Sequence, residues 1–167
     1  MLMANQRAEF GKIYDKYIAK IYRFVVLKVS SVEVAQDLCS DTFLKGWEVF
    51  KQEKIDNPQA FLYRIARNLI IDHYREKGRT QIVSVDDLSI IDTNSKIEEK
   101  AALDSDISQI KAKLAGLNDD YQNVIIWHYL DDLPICEVAN LLDRSEEATR
   151  VLLHRALEAL RKDVNSL

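Results

Sequence analysis

A row of polar side chains, most of them hydrogen-bond donors, stands on one side of a predicted helix over residues 58–77. On a helical wheel the apolar side chains of this segment form one stripe, and the polar side chains fall opposite. The outward side chains are Arg64, Arg67, Asn68, Asp72 and Arg75. Arginine and asparagine bind phosphates and base edges, so this face is a candidate nucleic-acid site. The solvated face of an ordinary amphipathic helix would show the same residue types.

A second candidate site is the segment DRSEEATRVLLHRALEALRK, residues 143–162, which has the spacing of the turn and second helix of a helix-turn-helix. Its basic side chains include Arg144, Arg150, His154, Arg155 and Arg161. Ser145 is expected to cap the helix, and Glu146 and Glu147 favour the positive end of the helix dipole. The two anions also stand where phosphates would approach, which predicts weak recognition of DNA.

Two other features of this segment lead to predictions. Asp143 occupies the turn, and aspartate tolerates a left-handed backbone conformation better than most residues, so we expect the turn to form. Val151 and Leu152 are expected to be exposed side by side on the last helix. We hypothesise that this apolar pair binds a protein, as well as or instead of DNA.

Catalysis and metal binding find no support in the residue pattern. His73, His128 and His154 each lie within a helical pattern, far apart, without a nucleophile or metal-ligand partner at motif spacing. Cys39 and Cys136 are isolated, so we predict two buried thiols and no disulfide. We therefore expect no enzyme activity, no metal and no cofactor.

The elements that must position these candidates are predicted to be helices. The chain of 167 residues has only four glycines and two prolines, whereas sheets need such residues at their turns. Apolar residues at steps of three and four predict a first helix over about 7–28. Ser30 with Glu33 forms a capping box for the second helix, and Asn57 with Pro58 begins the third, which should end at Gly78.

The second half of the chain also follows a helical period. The period resumes near Ile97 and is broken by Gly116. Asn118 or Asp119 should cap the next helix, and a short helix should run from Pro134 to Leu142. The last helix is expected to extend from its cap to about residue 164.

Composition shifts divide the chain into two helical domains. Residues 79–94 are polar and acidic without a helical period, which predicts a flexible linker. We therefore predict an all-α protein with a first domain over 1–78, an acidic linker over 79–107, and a second domain over 108–167 that contains the helix-turn-helix. No apolar run approaches the length of a membrane span and no signal-peptide core is present, so we expect a cytoplasmic protein without membrane insertion.

Charge is distributed unevenly over the two halves. The chain has a net charge of −4, yet residues 1–78 carry 13 basic and 10 acidic side chains, and residues 117–167 carry 5 and 10. Affinity for duplex DNA grows with each phosphate that a protein neutralises. Free DNA should therefore bind weakly.

Three blocks, in order, closely resemble parts of the bacterial extracytoplasmic-function (ECF) sigma factors. NPQAFLYRIARNLIIDHYREK is similar to that family's promoter-melting helix, and VEVAQDLCSDTFLKGWEVF to its polymerase-clamp helix. The stretch that begins LNDDYQNVIIWHYL resembles the family's second domain. The resemblance implies a dissociable polymerase subunit that directs the core enzyme to promoters and opens the −10 element.

The resemblance also implies roles for individual residues. The −10 strand would meet the arginine and asparagine face of the third helix, and the loop over 51–57 would help to hold a flipped base. The largest polymerase subunit's clamp helices would bind a face formed by Gln36, Asp37, Ser40, Asp41 and Lys45. Phe43 and Trp47 are expected in the core instead.

In the second domain, the resemblance implies contact with the flap of the second-largest polymerase subunit and with the −35 element. The −35 contacts that it implies are Arg144, Arg150, His154, Arg155 and Arg161. Here the chain departs from the family pattern: Glu147 stands in place of a usual glycine, Thr149 in place of a usual valine or isoleucine, and Leu157 at a commonly polar or basic position. An anti-sigma factor is an expected partner, and the free protein is expected to be a monomer. The acidic linker would thread through the polymerase, although a solvated tether explains equally well the charges of Asp86, Asp87, Asp92, Glu98 and Glu99.

Two other functions fit parts of the sequence. A polymerase-binding regulator could keep the first domain while its second domain binds a protein and no longer reads −35 DNA; the acidic C-terminal half favours it. A stand-alone helix-turn-helix repressor is the less favoured alternative, because it would leave the first domain without a role. A sigma factor and a polymerase-binding regulator would both bind core polymerase, whereas the repressor would not, so affinity for the core separates them.

Overall fold

In the computed structural model, which describes residues 2–80 and 105–165, every regular element is a helix. The described residues fall into two compact units, one in each range. The first unit contains α1 (Leu2–Lys28), α2 (Val32–Phe50) and α3 (Pro58–Thr80). The predicted all-α fold with two helical domains is confirmed. The exact domain boundaries remain predictions.

The core of the first unit is formed where the three helices meet. Phe24 and Val25 of α1 are fully buried, as are Tyr63 and Ala66 of α3. The rings of Phe24 and Tyr63 meet edge to face at 5.6 Å, a favoured aromatic geometry. Burial of these side chains leaves the opposite side of each helix toward solvent.

Gly46 allows the three helices to approach one another closely at one end of this unit. A Cβ atom at Gly46 would lie 3.1 Å from Cδ2 of Leu62 in α3 and 3.5 Å from Cζ of Phe10 in α1. The first distance is shorter than an ordinary van der Waals contact. The absence of a side chain at this position therefore sets the spacing of α1, α2 and α3.

The helix ends differ in three places from the sequence predictions. The first helix begins at Leu2 rather than near residue 7. Ser31, not Ser30, caps α2, because Ser31 has the extended backbone and its hydroxyl accepts a hydrogen bond from the Val34 amide at 3.3 Å. The third helix continues past Gly78 to Thr80, since Gly78 does not adopt the left-handed conformation that would end a helix there.

The second unit contains α4 (Ser105–Leu114), α5 (Asp119–Ile125), α6 (Ile135–Leu142) and α7 (Glu146–Asn165). Its core is built around Trp127, which is fully buried together with Val124, Val138 and Ala156. Asn118 is the observed cap of α5, and its side-chain oxygen accepts from the Tyr121 amide at 2.9 Å. The segment from Ile97 to residue 104 and the acidic linker residues Asp86, Asp87, Asp92, Glu98 and Glu99 lie outside the described residues.

A π-helical turn over Ile126–Leu130 follows α5 directly, and the sequence analysis did not predict it. The Asp131 amide donates to the Ile126 carbonyl at 3.0 Å, which is the wider hydrogen bond of a π turn. Asp132 then takes a left-handed conformation with φ 57°. The ring nitrogen Nδ1 of His128 lies 2.9 Å from the Leu133 carbonyl oxygen, and this hydrogen bond stabilises the bend. His128 thus has a local structural role in leading the chain into α6.

The two cysteines lie in different environments. Cys39 is buried, and burial raises its pKa from 9.0 to about 11. Cys136 is exposed, so the prediction that it would be buried is wrong. The apolar positions of α6 are Val138, Ala139, Leu141 and Leu142, which turn the side of the helix bearing Cys136 outward. Within the described residues, no helix is long and apolar enough to cross a membrane.

We expect one of the two thiols to react rapidly with a disulfide reagent at pH 8, because only an accessible thiolate is a good nucleophile. Cys136 should react at once, and Cys39 only after a denaturant is added. Absorbance of the released thiol reports both phases. The Cys136→Ser variant should lose the fast phase, and a fast phase that persists in this variant would contradict the assignment.

Candidate nucleic-acid and polymerase interfaces

The third helix presents its predicted nucleic-acid face to solvent. Leu62, Tyr63, Ala66 and Ile70 are buried. The exposed side chains include four of the five predicted −10 contacts, namely Arg64, Asn68, Asp72 and Arg75. The fifth, Arg67, is half-buried. The predicted contacts, which are three arginines, an asparagine and one acceptor, Asp72, therefore share one side of α3, as a strand-binding surface requires.

His73 lies at the edge of this face and is half-buried. Its pKa is lowered mainly by desolvation and further by the positive charge of Lys77, while Glu76 opposes the change. Since the folded-state pKa lies below that of the unfolded chain, the contribution of His73 to stability falls as the pH drops below about 6.5. At neutral pH the positive charge in this part of α3 comes from Arg75 and Lys77 rather than from His73.

The outward side of α2 carries the predicted polymerase-binding residues. The inward side is formed by Ala35, Leu38, Cys39, Thr42, Phe43 and Gly46, all of which are buried. Gln36, Asp37, Ser40, Asp41 and Lys45 are all exposed. Leu44, which the sequence analysis did not single out, is 60% exposed within the same face. The polar face thus contains an accessible apolar residue.

An apolar groove of about 450 Å³ runs between α1 and α2 beside this face. Its lining includes the polar Gln36 and Ser40 and the aromatic Tyr14, Phe43 and Trp47. Phe43 is buried as predicted, but Trp47 is half-buried and lies in the groove wall. The core prediction is therefore wrong for Trp47. The centroids of the Trp47 and Phe10 rings are 5.4 Å apart, and part of the Trp47 ring surface lies in the groove.

A second cleft, of about 420 Å³, lies at the loop between α2 and α3. The loop residues that line it run from Lys51 to Ile55, with Phe50 at the end of α2. Gln6 and Glu9 of α1 form the opposite wall, and the Gln6 amide donates to the Lys51 carbonyl at 3.5 Å. Sequence reasoning missed these two α1 residues because nothing in their local pattern connects them with the loop.

The second unit contains a helix-turn-helix formed by α6, a tight turn and α7. Asp143 has φ 53° and ψ 43°, the left-handed conformation predicted for it. Ser145 caps α7 as predicted, since its hydroxyl accepts from the Ala148 amide at 3.1 Å. Thr149, Leu152 and Ala156 are buried and fix the rotation of α7. The helix-turn-helix prediction is confirmed.

Several of the predicted −35 contacts are engaged with acidic side chains. Arg144 lies 2.7 Å from Asp120. Arg150 lies 3.7 Å from Glu146, and His154 lies 3.2 Å from Glu158. Arg155 and Arg161 are exposed, as are the other three. The face therefore offers less net positive charge to phosphates than its basic residues alone imply.

The exposed pair Val151–Leu152 does not exist in the structure. Val151 is 50% exposed, whereas Leu152 is only 8% exposed. Adjacent residues on a helix are separated by about 100°, so Leu152 turns into the core beside Thr149 and Ala156. The proposed protein-binding pair is therefore corrected to a single exposed valine.

Known proteins resemble this chain in both units. The Sigma-70 region 2 family matches residues 13–80, and the Sigma-70 region 4 family matches residues 114–162. The chain is 29% identical over 168 residues to the ECF RNA polymerase sigma factor SigW of Bacillus subtilis, with 95% of this chain and 90% of SigW covered. It is 28% identical over 169 residues to the ECF RNA polymerase sigma factor SigL of Mycobacterium tuberculosis, with 98% and 93% covered.

A solved structure supports the fold over nearly the whole chain. The sigma factor RpoE from Bartonella quintana, in complex with the anti-sigma factor NepR, superposes with a TM-score of 0.72. The two sequences are 18% identical, and the match covers 94% of this chain and 97% of the other. At this identity the similarity concerns the fold alone.

The turn conformation gives a stability prediction for the second unit. Replacing Asp143 by glycine should stabilise this unit by about 0.5 kcal/mol, because glycine adopts φ 53° without steric cost. Replacing it by alanine should destabilise the unit by about 1 kcal/mol. Urea unfolding can be followed by Trp127 fluorescence in a Trp47→Phe background. A lower midpoint for the glycine variant than for the parent protein would contradict this account.

Proposed function

This chain belongs to the ECF family of RNA polymerase sigma factors, and from that premise we propose how its two units direct core polymerase to promoters and open the −10 element. Members of this family are specificity subunits rather than enzymes. The region 2 and region 4 matches together favour a sigma factor over a polymerase-binding regulator without −35 recognition. The observation that carries the proposal is the single donor-rich face of α3.

Polymerase would bind through the exposed face of α2. We assign the clamp helices of the largest subunit to Gln36, Asp37, Ser40, Asp41 and Lys45, with Leu44 as an apolar contact. A polar rim around an apolar centre is the usual composition of a protein interface. The flap of the second-largest subunit would bind the second unit.

The −10 element would be opened by α3 and the cleft beside it. Arg64, Arg67, Asn68, Asp72 and Arg75 would bind the non-template strand after its bases turn outward. Extrusion of a base costs a few kcal/mol, so the free energy of opening must come from such contacts and from a site that receives the base. The 420 Å³ cleft at the α2–α3 loop supplies that site, with Gln6 and Glu9 as its far wall.

The −35 element would lie against the exposed side of α7. Arg144, Arg150, His154, Arg155 and Arg161 would contact it, with the second helix of the motif in the major groove. Because Arg144 and Arg150 have acidic partners, we infer that the polymerase holds the second unit at the promoter. This arrangement accounts for an acidic chain that nevertheless binds DNA.

An anti-sigma factor is the partner that we propose for the free protein, which would otherwise be a monomer in the bacterial cytoplasm. A sigma factor of the same fold is found with such a partner in the Bartonella quintana complex. The apolar α1–α2 groove provides accessible apolar surface for a protein partner.

The proposed function is tested by adding the purified protein to bacterial core polymerase and genomic DNA of its source, and sequencing the 5′ ends of the transcripts. We expect starts that share both a −10 and a −35 motif. Starts that share only a −10 motif would remove −35 recognition from the proposal. Absence of specific starts, although the core binds the protein, would overturn the promoter function.

The −10 assignment predicts a defect confined to promoter opening. Arg64→Ala and Asn68→Ala should each reduce open-complex formation by about tenfold or more, because one good base contact contributes roughly 1–3 kcal/mol. Permanganate reactivity of −10 thymines measures opening. Core binding, measured by fluorescence anisotropy, should not change. Lys12→Ala, an exposed change on α1, is the matched control, and equal opening by all four proteins would contradict the assignment.

A further inference from the structure

Val151 is an apolar side chain in the midst of the polar face of α7. It is 50% exposed, whereas Leu152 and Thr149 are buried. One helical turn away on either side lie Glu147 and Arg155, both exposed. Val151 therefore stands within the stripe of α7 that is turned toward solvent.

The exposed apolar surface at this position is small. Since Leu152 is turned into the core, a single isopropyl group is presented rather than a pair of large side chains. Apolar patches that bind proteins usually cover several hundred Å², much more than one valine offers. The size of the exposed group matches a small apolar ligand group instead of a protein surface.

The polar neighbours favour nucleic acid as the partner. Arg150 and His154 are each held by a glutamate one turn along the helix, at 3.7 Å and 3.2 Å. Arg155, Arg161 and Lys162 are exposed cations on the same helix. The helix thus carries donors for phosphates, with Arg155 one turn from Val151, and it is the second helix of a helix-turn-helix, which enters the major groove.

In the major groove, the apolar group among the base edges is the C5-methyl group of thymine. Valine is also suited to contact it, because its branched side chain has one strongly preferred rotamer in a helix and loses little freedom on binding. We propose that Val151 reads the methyl group of one thymine in the −35 element. This inference rests on the proposed promoter function and adds a specificity-determining residue to it.

The test removes a single methyl group from the DNA. Promoters from the start mapping are synthesised with each −35 thymine replaced in turn by deoxyuridine, and initiation by the holoenzyme is measured on each template. At one position we expect the parent protein to initiate about fourfold less from the uracil template than from the thymine template. Loss of one buried methylene-sized group has an effect of this size. Val151→Ala should initiate equally from the thymine and uracil templates at that position.

Two comparisons make the result specific. Val151→Ala is an exposed change that raises helix propensity, so the variant should fold. Lys113→Ala, on the exposed part of α4, should keep the full thymine preference. Equal initiation from thymine and uracil templates by the parent protein at every −35 position would overturn the inference, as would a preference that survives in Val151→Ala.

The outcomes also separate failure of this inference from failure of the proposed sigma-factor function on which it rests. If transcripts depend on the −10 motif but not on any −35 thymine, the inference fails and the sigma function stands. If the holoenzyme initiates nowhere specifically, the proposed function itself fails. A uracil effect at one −35 position that Val151→Ala abolishes supports both.

Discussion

Burial of one stripe of α3 against α1 and α2 is the constraint on which the first unit depends. Tyr63 and Ala66 have no exposed surface, so α3 cannot rotate about its axis without bringing polar groups into the core. The direction of Arg64 and Asn68 is thereby fixed, and so is their relation to the α2 face, because α2 packs on the same stripe. Gly46 sets how closely these helices approach. One packed core thus presents both the outward face of α3, with Arg64 and Asn68, and the exposed face of α2.

In the second unit, the orientation of α7 is fixed by buried side chains together with a turn. Thr149 and Ala156 orient α7, and the left-handed Asp143 sets the angle at which α7 leaves α6. The glutamates at the start of α7 favour the positive end of the helix dipole, and Glu146 also lies 3.7 Å from Arg150. Helix formation accounts for the acidic start, while the exposed stripe beyond it carries the residues that we propose for the −35 contact.

Much of this architecture could be predicted from the sequence, because helical periodicity and caps are local signals. The turn at Asp143, the cap at Ser145 and the outward face of α3 follow from spacing alone. Long-range packing could not be read in the same way. The exposed Cys136, the half-buried Trp47 and the burial of Leu152 depend on which neighbours cover them. Gln6, in the wall of the cleft, is 45 residues before Lys51 in the sequence, and no local pattern predicts a contact over that separation. The π turn after α5 was missed because no Gly or Pro interrupts the pattern there.

The acid–base pairs of the second unit also determine how it should respond to ionic strength. Each phosphate that a protein neutralises releases condensed counterions, and the number released sets the steepness with which affinity falls as salt rises. Arg144, Arg150 and His154 already face carboxylates, so fewer counterions should be released than five basic residues would suggest. Promoter choice by the −35 side would then depend more on base contacts than on the salt content of the cell.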